Sequence, residues 1–227
     1  MAAEDQAGFI QKTFGLFSVM ILFQLIYVVL IALDEKSEGI KKFAGGMTAL
    51  VTGIVMALIA LVIVLMSKQA SVPLPASKGY PSWLLFTVGM TLVAGYTAAK
   101  KETMTILVAE IGTMVATTLC TLFGGRILAS TGKTGFVSKL GPVFGIMSLV
   151  LVVVLIAAQA LNIGGMGNAF ILALVLCLVT AFFIIDVQLI VQGQYTAFTK
   201  DDYVMASMKL FADFVIIFSL LLEMCKS

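Results

Sequence analysis

AFILALVLCLVTAFFIIDVQLIV, residues 169–191, is an unbroken apolar stretch in which Asp186 is the one charged side chain. A helix of about 20 residues crosses the hydrocarbon core of a bilayer, and this stretch has that length. Backbone polar groups inside hydrocarbon must be satisfied within the segment, which favours a helix over a shorter barrel strand of alternating polarity. The stretch therefore predicts a membrane-spanning helix.

The rest of the chain has the same apolar character. Of its 227 residues, 61% are hydrophobic and 11% are charged, a balance that excludes a water-soluble globular domain. Counting residues 169–191, seven stretches reach membrane length. The predicted spans are 14–33, 43–66, 82–99, 103–123, 140–161, 169–191 and 203–224. We therefore predict an all-α membrane protein, a seven-helix transmembrane bundle that forms a single domain over residues 1–227.

The polar residues exclude several other classes of protein. The 14 Lys and Arg residues are scattered and the net charge is only +2, so the chain lacks the basic patches that bind nucleic acid. Three cysteines without a C-x-x-C spacing, and no histidine, argue against a disulfide framework or a zinc site. The basic residues divide almost equally between the two sets of loops, so the orientation in the membrane is not decided.

Small residues recur at every fourth position in the second predicted span, at Gly45, Ala49, Gly53 and Ala57. Such a spacing lets two helix backbones approach closely, and it predicts a packing seam against a neighbouring helix.

Four charged side chains lie within the spans away from their ends: Glu110, Asp186, Lys209 and Asp213. Each costs several kcal/mol at membrane depth, and such groups usually face a bundle interior or an aqueous cavity. With a rise of about 1.5 Å per residue, Asp186 and Asp213 are predicted at roughly 8 and 15 Å from the same membrane face. If the two carboxyl groups meet, they cannot both ionise cheaply, so they should share one proton and act as a pH sensor.

Other arrangements of these four side chains remain open. Asp186 can reach toward the lipid headgroups while Asp213 pairs with Lys209, one turn earlier on its own helix. We favour an extended Lys209 that reaches the membrane surface, because an ammonium beside Asp213 would compete with the shared proton. Glu110 can line the other mouth of a cation path, but we favour a position at the membrane surface near Lys100–Lys101.

The last two predicted helices resemble those of the Bax inhibitor motif family, the lifeguard and Bax-inhibitor proteins. The likeness is carried by FIIDVQLI at 183–190, DDY at 201–203 and KLFADF at 209–214. Weaker matches are FIQKTF at 9–14, YPS at 80–82, LFT at 85–87 and AEIGT at 109–113. The resemblance extends over most of the chain and is most specific in its last fifth.

The resemblance implies a central last helix wrapped by the other six and a pair of proton-sensing aspartates, Asp186 and Asp213. It also implies a pH-dependent calcium leak that lowers stored calcium and opposes cell death. The membrane would be that of the endoplasmic reticulum or Golgi in a eukaryote, and the plasma membrane in a bacterium. Relatives place a charged latch partner for the aspartates in or just after the second span, where this chain offers only Lys68 and Lys78.

The implied ligand of the site is calcium, as the permeant ion rather than as a cofactor. Asp186 and Asp213 would be its ligands, because calcium is a hard cation that prefers oxygen donors. No cofactor is implied. The expected partners are the lipid bilayer, calcium and other membrane proteins that control cell death.

Three other functions fit parts of the pattern. A proton-coupled secondary transporter also uses buried carboxylates, although no inverted repeat is evident. A retinal protein is suggested by Lys209 in the last helix, but the third span lacks a counter-ion and Trp83 is the single tryptophan. A non-conducting partner of other membrane proteins is the third. An enzyme is not expected, because no nucleophile lies beside a base and the aspartates lack the Tyr-Asp and Gly-x-Gly-Asp signatures of intramembrane proteases.

Overall fold

The computed structural model describes residues 3–34, 39–69, 76–122, 166–192 and 202–225, and all regular structure in these ranges is helical. The helices are α1 (Ala3–Leu33), α2 (Gly39–Ala44), α3 (Met47–Gln69), α4 (Ala76–Ala98), α5 (Thr103–Leu122), α6 (Met166–Gln192) and α7 (Tyr203–Met224). The predicted span 140–161 lies outside the described residues.

The first two predicted spans differ from the observed helices at their ends. α1 begins at Ala3 rather than at residue 14. The second span is divided into α2 and α3 by a turn at Gly45–Gly46. α2 is anchored by the Asp34 carboxylate, which accepts hydrogen bonds from the backbone N–H groups of Ile40 at 2.6 Å and Lys41 at 2.9 Å. These two donors belong to the first turn of α2, where backbone N–H groups have no partner within the helix.

Five helices in the described part of the chain are long and apolar enough to cross a membrane: α1, α3, α5, α6 and α7. α4, at the predicted third span, is less apolar, because threonine, glycine and proline residues interrupt its apolar run. The outer faces of α1, α3 and α5 expose large apolar side chains, among them Leu22, Phe23, Val51, Leu58, Val108 and Val115. Such faces suit lipid rather than water, and the prediction of an all-α membrane bundle is confirmed.

α7 lies at the centre of the described helices. It packs against α1, α4, α5 and α6, whereas α3 packs mainly against α4. In its apolar span 61% of the residues are buried, against 28% to 44% in the other four apolar spans. The expectation of a central last helix is therefore confirmed.

One end of the bundle, which we call the Tyr203 end, brings together the starts of α1, α4 and α7 and the end of α6. Gln6 donates a hydrogen bond from Nε2 to the Val191 carbonyl oxygen at 2.6 Å. The Tyr80 and Tyr203 hydroxyl groups lie 3.2 Å apart, and the Lys12 ammonium lies 5.1 Å from the centre of the Tyr203 ring. The N-terminal part of α1 thus contacts the end of α6 and the start of α7.

The opposite end, the Thr103 end, joins the end of α1 to the start of α5 and the end of α7. The Thr103 hydroxyl group donates to the Ala32 carbonyl oxygen at 2.9 Å, and the Lys101 ammonium lies 3.4 Å from Glu223 Oε1. α1 and α7 therefore run in the same direction, and α5 runs against them.

α3 and α4 meet through the predicted small-residue seam. A Cβ atom added to Gly53 would lie 2.6 Å from the Gly89 carbonyl oxygen, and one added to Gly89 would lie 2.8 Å from the Ala57 backbone nitrogen. Both distances are shorter than van der Waals contact allows, so the two backbones touch only because these residues lack side chains. The seam prediction is confirmed at Gly53 and Ala57.

Substituting Gly53→Ala should lower the stability of the bundle by about 1–3 kcal/mol, the usual cost of overpacking a tight contact. The clash involves a backbone oxygen, which cannot rotate away. Gly15→Ala in α1 is the control, because a Cβ there has no atom within 4 Å. Thermal unfolding in detergent should show a lower midpoint for Gly53→Ala alone, and equal midpoints for the two variants would contradict the close contact.

Candidate functional site

Asp186 forms a partly buried ion pair that joins α6 to α7. The residue is 2% exposed. Its Oδ1 atom accepts a hydrogen bond from the Lys209 ammonium at 2.6 Å. The Lys209 side chain is 46% exposed. Its aliphatic part therefore lies at the surface of the bundle, while its ammonium contacts the buried Asp186 carboxylate. A hydrogen bond between two ionised groups at this distance is among the stronger polar contacts in proteins.

Asp213 lies beside Asp186 in the interior of the bundle. The two carboxyl groups are close enough for a side-chain hydrogen bond, and Lys209 acts on Asp213 through its charge. The Oδ2 atom of Asp213 is buried and has no hydrogen-bond partner among the described residues. A hydrogen bond between two carboxyl groups needs a proton on one of them. The structure thus brings together the two residues that the sequence singled out, and their role as a sensor stays a prediction.

The Lys209 ammonium bonds to Asp186 instead of extending away from the aspartates, so the favoured placement of its ammonium was wrong. The ammonium turns to Asp186 on α6, because that carboxylate offers a buried partner at hydrogen-bonding distance. The pair is therefore asymmetric: Asp186 has a cation in direct contact, whereas Asp213 has its neighbouring carboxyl. Residue count along α7 gives the depth of Lys209 but not the partner that another helix presents to it.

Glu110 is also placed differently from the favoured prediction. It is 1% exposed and lies on the buried face of α5 with Ile106, Ala109, Thr113 and Thr117. α5 begins at Thr103, so Glu110 is roughly 10 Å into the helix at about 1.5 Å per residue. Lys101, one of the two lysines near which it was predicted to lie, pairs with Glu223.

Gln24, which the sequence analysis missed, is the polar neighbour of Glu110. It is fully buried in α1 and donates from Nε2 to Glu110 Oε2 at 3.4 Å. An amide carries no charge, so the charged residues in the spans do not point to it. A buried amide within an apolar span is itself a signal, and Gln188, two residues after Asp186 and 2% exposed, is a second example.

Three phenylalanines separate the aspartates from the Glu110 level; we call them the aromatic layer. The Phe17 ring centre on α1 lies 6.0 Å from that of Phe183 on α6 and 6.2 Å from that of Phe214 on α7. All three side chains are buried. Asp186 lies one turn from Phe183 toward the Tyr203 end, and Asp213 directly precedes Phe214, close to the level of the layer. Gln24 follows Phe17 by seven residues, which places it roughly 10 Å toward the Thr103 end.

The site offers carboxylate oxygens but no complete metal shell. Among the described residues no three acidic, histidine or cysteine side chains lie together. Calcium in a resident site takes 6–8 oxygen ligands, so the two aspartates would supply only part of such a shell. The side chains of Lys68 and Lys78, the predicted latch candidates, lie outside the described part of the chain.

Comparison with known protein families gives one match. The family model described as "Inhibitor of apoptosis-promoting Bax1" matches residues 6–227, nearly the whole chain. Comparisons with curated proteins and with solved structures find no significant match. The matched range includes the FIIDVQLI and KLFADF segments that carry the two aspartates. The chain is therefore a member of the Bax inhibitor motif family of membrane proteins.

Proposed function

We propose that this protein is a pH-sensitive calcium leak channel, gated by one proton that Asp186 and Asp213 hold between them. The observation that supports the proposal is the placement of both carboxyl groups, from adjacent helices, within hydrogen-bonding reach inside the bundle. Buried ionisable residues in membrane helices commonly mark ion paths. The family match supports a Bax-inhibitor-like membrane protein as the setting.

In the protonated state the group of three side chains is electrically neutral. Lys209 contacts Asp186 directly, so Asp186 is the ionised member and the proton belongs to Asp213. The hydroxyl of protonated Asp213 can then donate to Asp186. Charge balance and hydrogen bonding together hold α6 against α7, and the aromatic layer fills the interior on the Thr103 side.

Loss of the proton changes both the force between the helices and the chemistry of the site. Two carboxylates with one ammonium carry a net charge of −1 in an apolar interior, which is costly. Repulsion then favours separation of α6 and α7, and the freed carboxylate oxygens suit a hard divalent cation. Calcium replaces the proton as the compensating charge, so calcium flux should increase as pH rises.

The cellular role follows from such a leak. Calcium that leaves an internal store lowers its content, which is the route by which we propose the protein opposes cell death, in the membrane of the endoplasmic reticulum or Golgi of a eukaryote. Other membrane proteins of cell-death control are the proposed partners. We assign the aspartates to gating rather than to catalysis, since neither lies in an intramembrane protease signature.

Substituting Asp213→Asn should leave calcium flux low at every pH. The amide keeps the shape of the protonated side chain and can still donate to Asp186, but it has no proton to lose. The measurement is calcium flux into liposomes that contain the purified protein, across a pH series. Asp202→Asn, at the start of the same helix and outside the pair, is the matched control and should retain the pH response. A response to pH that survives in Asp213→Asn would reject gating by this pair.

Substituting Lys209→Met should move the rise in calcium flux to higher pH. Without the ammonium, the second negative charge is harder to create, and the pair keeps its proton longer. The expected change is this displacement of the flux profile toward higher pH. The same flux assay measures it, with Lys12→Met, a lysine at the Tyr203 end, as control. A displacement to lower pH would mean that Lys209 does not favour the ionised form.

A further inference from the structure

Glu110 and Gln24 form a second buried polar site in the bundle, separate from the aspartates. Their one hydrogen bond, from Gln24 Nε2 to Glu110 Oε2, is long at 3.4 Å. The remaining oxygen of each side chain, Oε1 in both cases, is buried without a hydrogen-bond partner among the described residues. A carboxyl group and an amide oxygen left without donors in an apolar interior are costly. In the ionised form of Glu110 both atoms are acceptors, so in that form they require a donor or a cation.

The position of this site relates it to the proposed ion path. Glu110 lies on the buried face of α5, the helix that packs against central α7, and Gln24 lies on the buried face of α1. The site is on the Thr103 side of the aromatic layer, whereas Asp186 is on the Tyr203 side and Asp213 directly precedes Phe214 of the layer. Between Asp186 and Gln24 the axial separation is roughly 15 Å, from residue offsets along α1 and α6 at about 1.5 Å each. The bundle thus carries buried acidic oxygens at the aspartates and again on the Thr103 side of the aromatic layer.

Charged neighbours do not account for Glu110. At the Thr103 end Lys101 pairs with Glu223 of α7, and on the Tyr203 side Lys209 pairs with Asp186 of α6. α1 contributes the amide of Gln24 and no charge to this contact. Within the described residues, the carboxyl group of Glu110 therefore has an amide neighbour and no counter-ion. Among the described residues, no ion pair accounts for an acidic residue at this depth.

We propose that Glu110 and Gln24 form a transit site for the permeant divalent cation on the Thr103 side of the aromatic layer. This inference rests on the proposed calcium leak and extends it to a second point on the path. The carboxylate and the amide oxygen would supply two oxygen ligands, and water would complete the shell. Two protein ligands make a weak site, which suits passage, because a conducting ion must leave as readily as it enters.

The first test measures calcium at Glu110 without relying on conduction. Dicyclohexylcarbodiimide reacts with carboxyl groups in apolar membrane surroundings, and mass spectrometry of the labelled peptide reports modification of Glu110 alone. Calcium should protect Glu110 from the reagent in the unmodified protein and equally in Asp213→Asn. Gln24→Leu, which keeps the volume but removes the amide oxygen, should require roughly tenfold more calcium for the same protection, a loss of about 1.4 kcal/mol. Labelling that calcium leaves unchanged in the unmodified protein would overturn the transit site.

The second test measures calcium flux in liposomes for Glu110→Gln, Glu110→Asp and Thr113→Val. Thr113 is buried one turn along the same face of α5 and bonds to its own helix at Ala109, so Thr113→Val is the matched control. Glu110→Gln should lower flux roughly tenfold without displacing its pH dependence, and Glu110→Asp should retain most of it. Equal losses in Glu110→Gln and Thr113→Val would show a structural role and reject the site. A different outcome is that the unmodified protein shows no flux although calcium still protects Glu110 from the reagent. That result would reject the proposed leak but support a cation site at Glu110.

Discussion

The ion pair between Lys209 and Asp186 is the interaction on which the interior of this bundle depends. A single charge in a bilayer core is expensive, and a charged residue there needs a partner or an aqueous cavity. The pair gives Asp186 a partner from the neighbouring helix at 2.6 Å. The pair thereby fixes the register of α6 against α7. Among the described residues, no cation contacts the carboxyl group of Asp213 directly.

The surrounding helices support this arrangement from both ends. α1 contacts α6 and α7 at the Tyr203 end through Gln6 and Lys12, and α5 holds the end of α7 through Lys101. Between the ends, the aromatic layer closes the interior with side chains from α1, α6 and α7. A change of charge at the aspartates therefore acts on the same two helices that supply most of the constriction. That shared location gives the proposed gate a physical connection between proton loss and opening.

The sequence could predict how deep a residue lies in the membrane, but not which neighbouring helix its side chain faces. Span lengths and rise per residue placed Asp186 and Asp213 near each other, and the structure agrees. The inward face of a soluble helix can be identified from the alternation of polar and apolar residues, but a membrane helix is apolar on all sides. For that reason the partner of Lys209 and the burial of Glu110 were predicted incorrectly. The break between α2 and α3 at Gly45–Gly46 was also missed, because glycines are common inside membrane helices and as turns.

Gln24 and Gln188 illustrate a related gap. Amides carry no net charge, yet a buried amide needs hydrogen bonds as a carboxylate does. In both residues one oxygen has no partner among the described residues. A search for any hydrogen-bonding side chain within the spans would have found them, although only the three-dimensional structure shows that Gln24 meets Glu110.

The central claim is that one proton resides on the carboxyl group of Asp213 beside ionised Asp186 inside the membrane. Infrared difference spectroscopy of the protein in lipid, recorded between acid and alkaline states, measures this directly. The account predicts a protonated-carboxyl C=O band that decreases on alkalisation, with one component that is absent from Asp213→Asn and persists in Glu110→Gln. A band that is identical in Asp213→Asn and the unmodified protein, or an unmodified protein without it, would contradict the account.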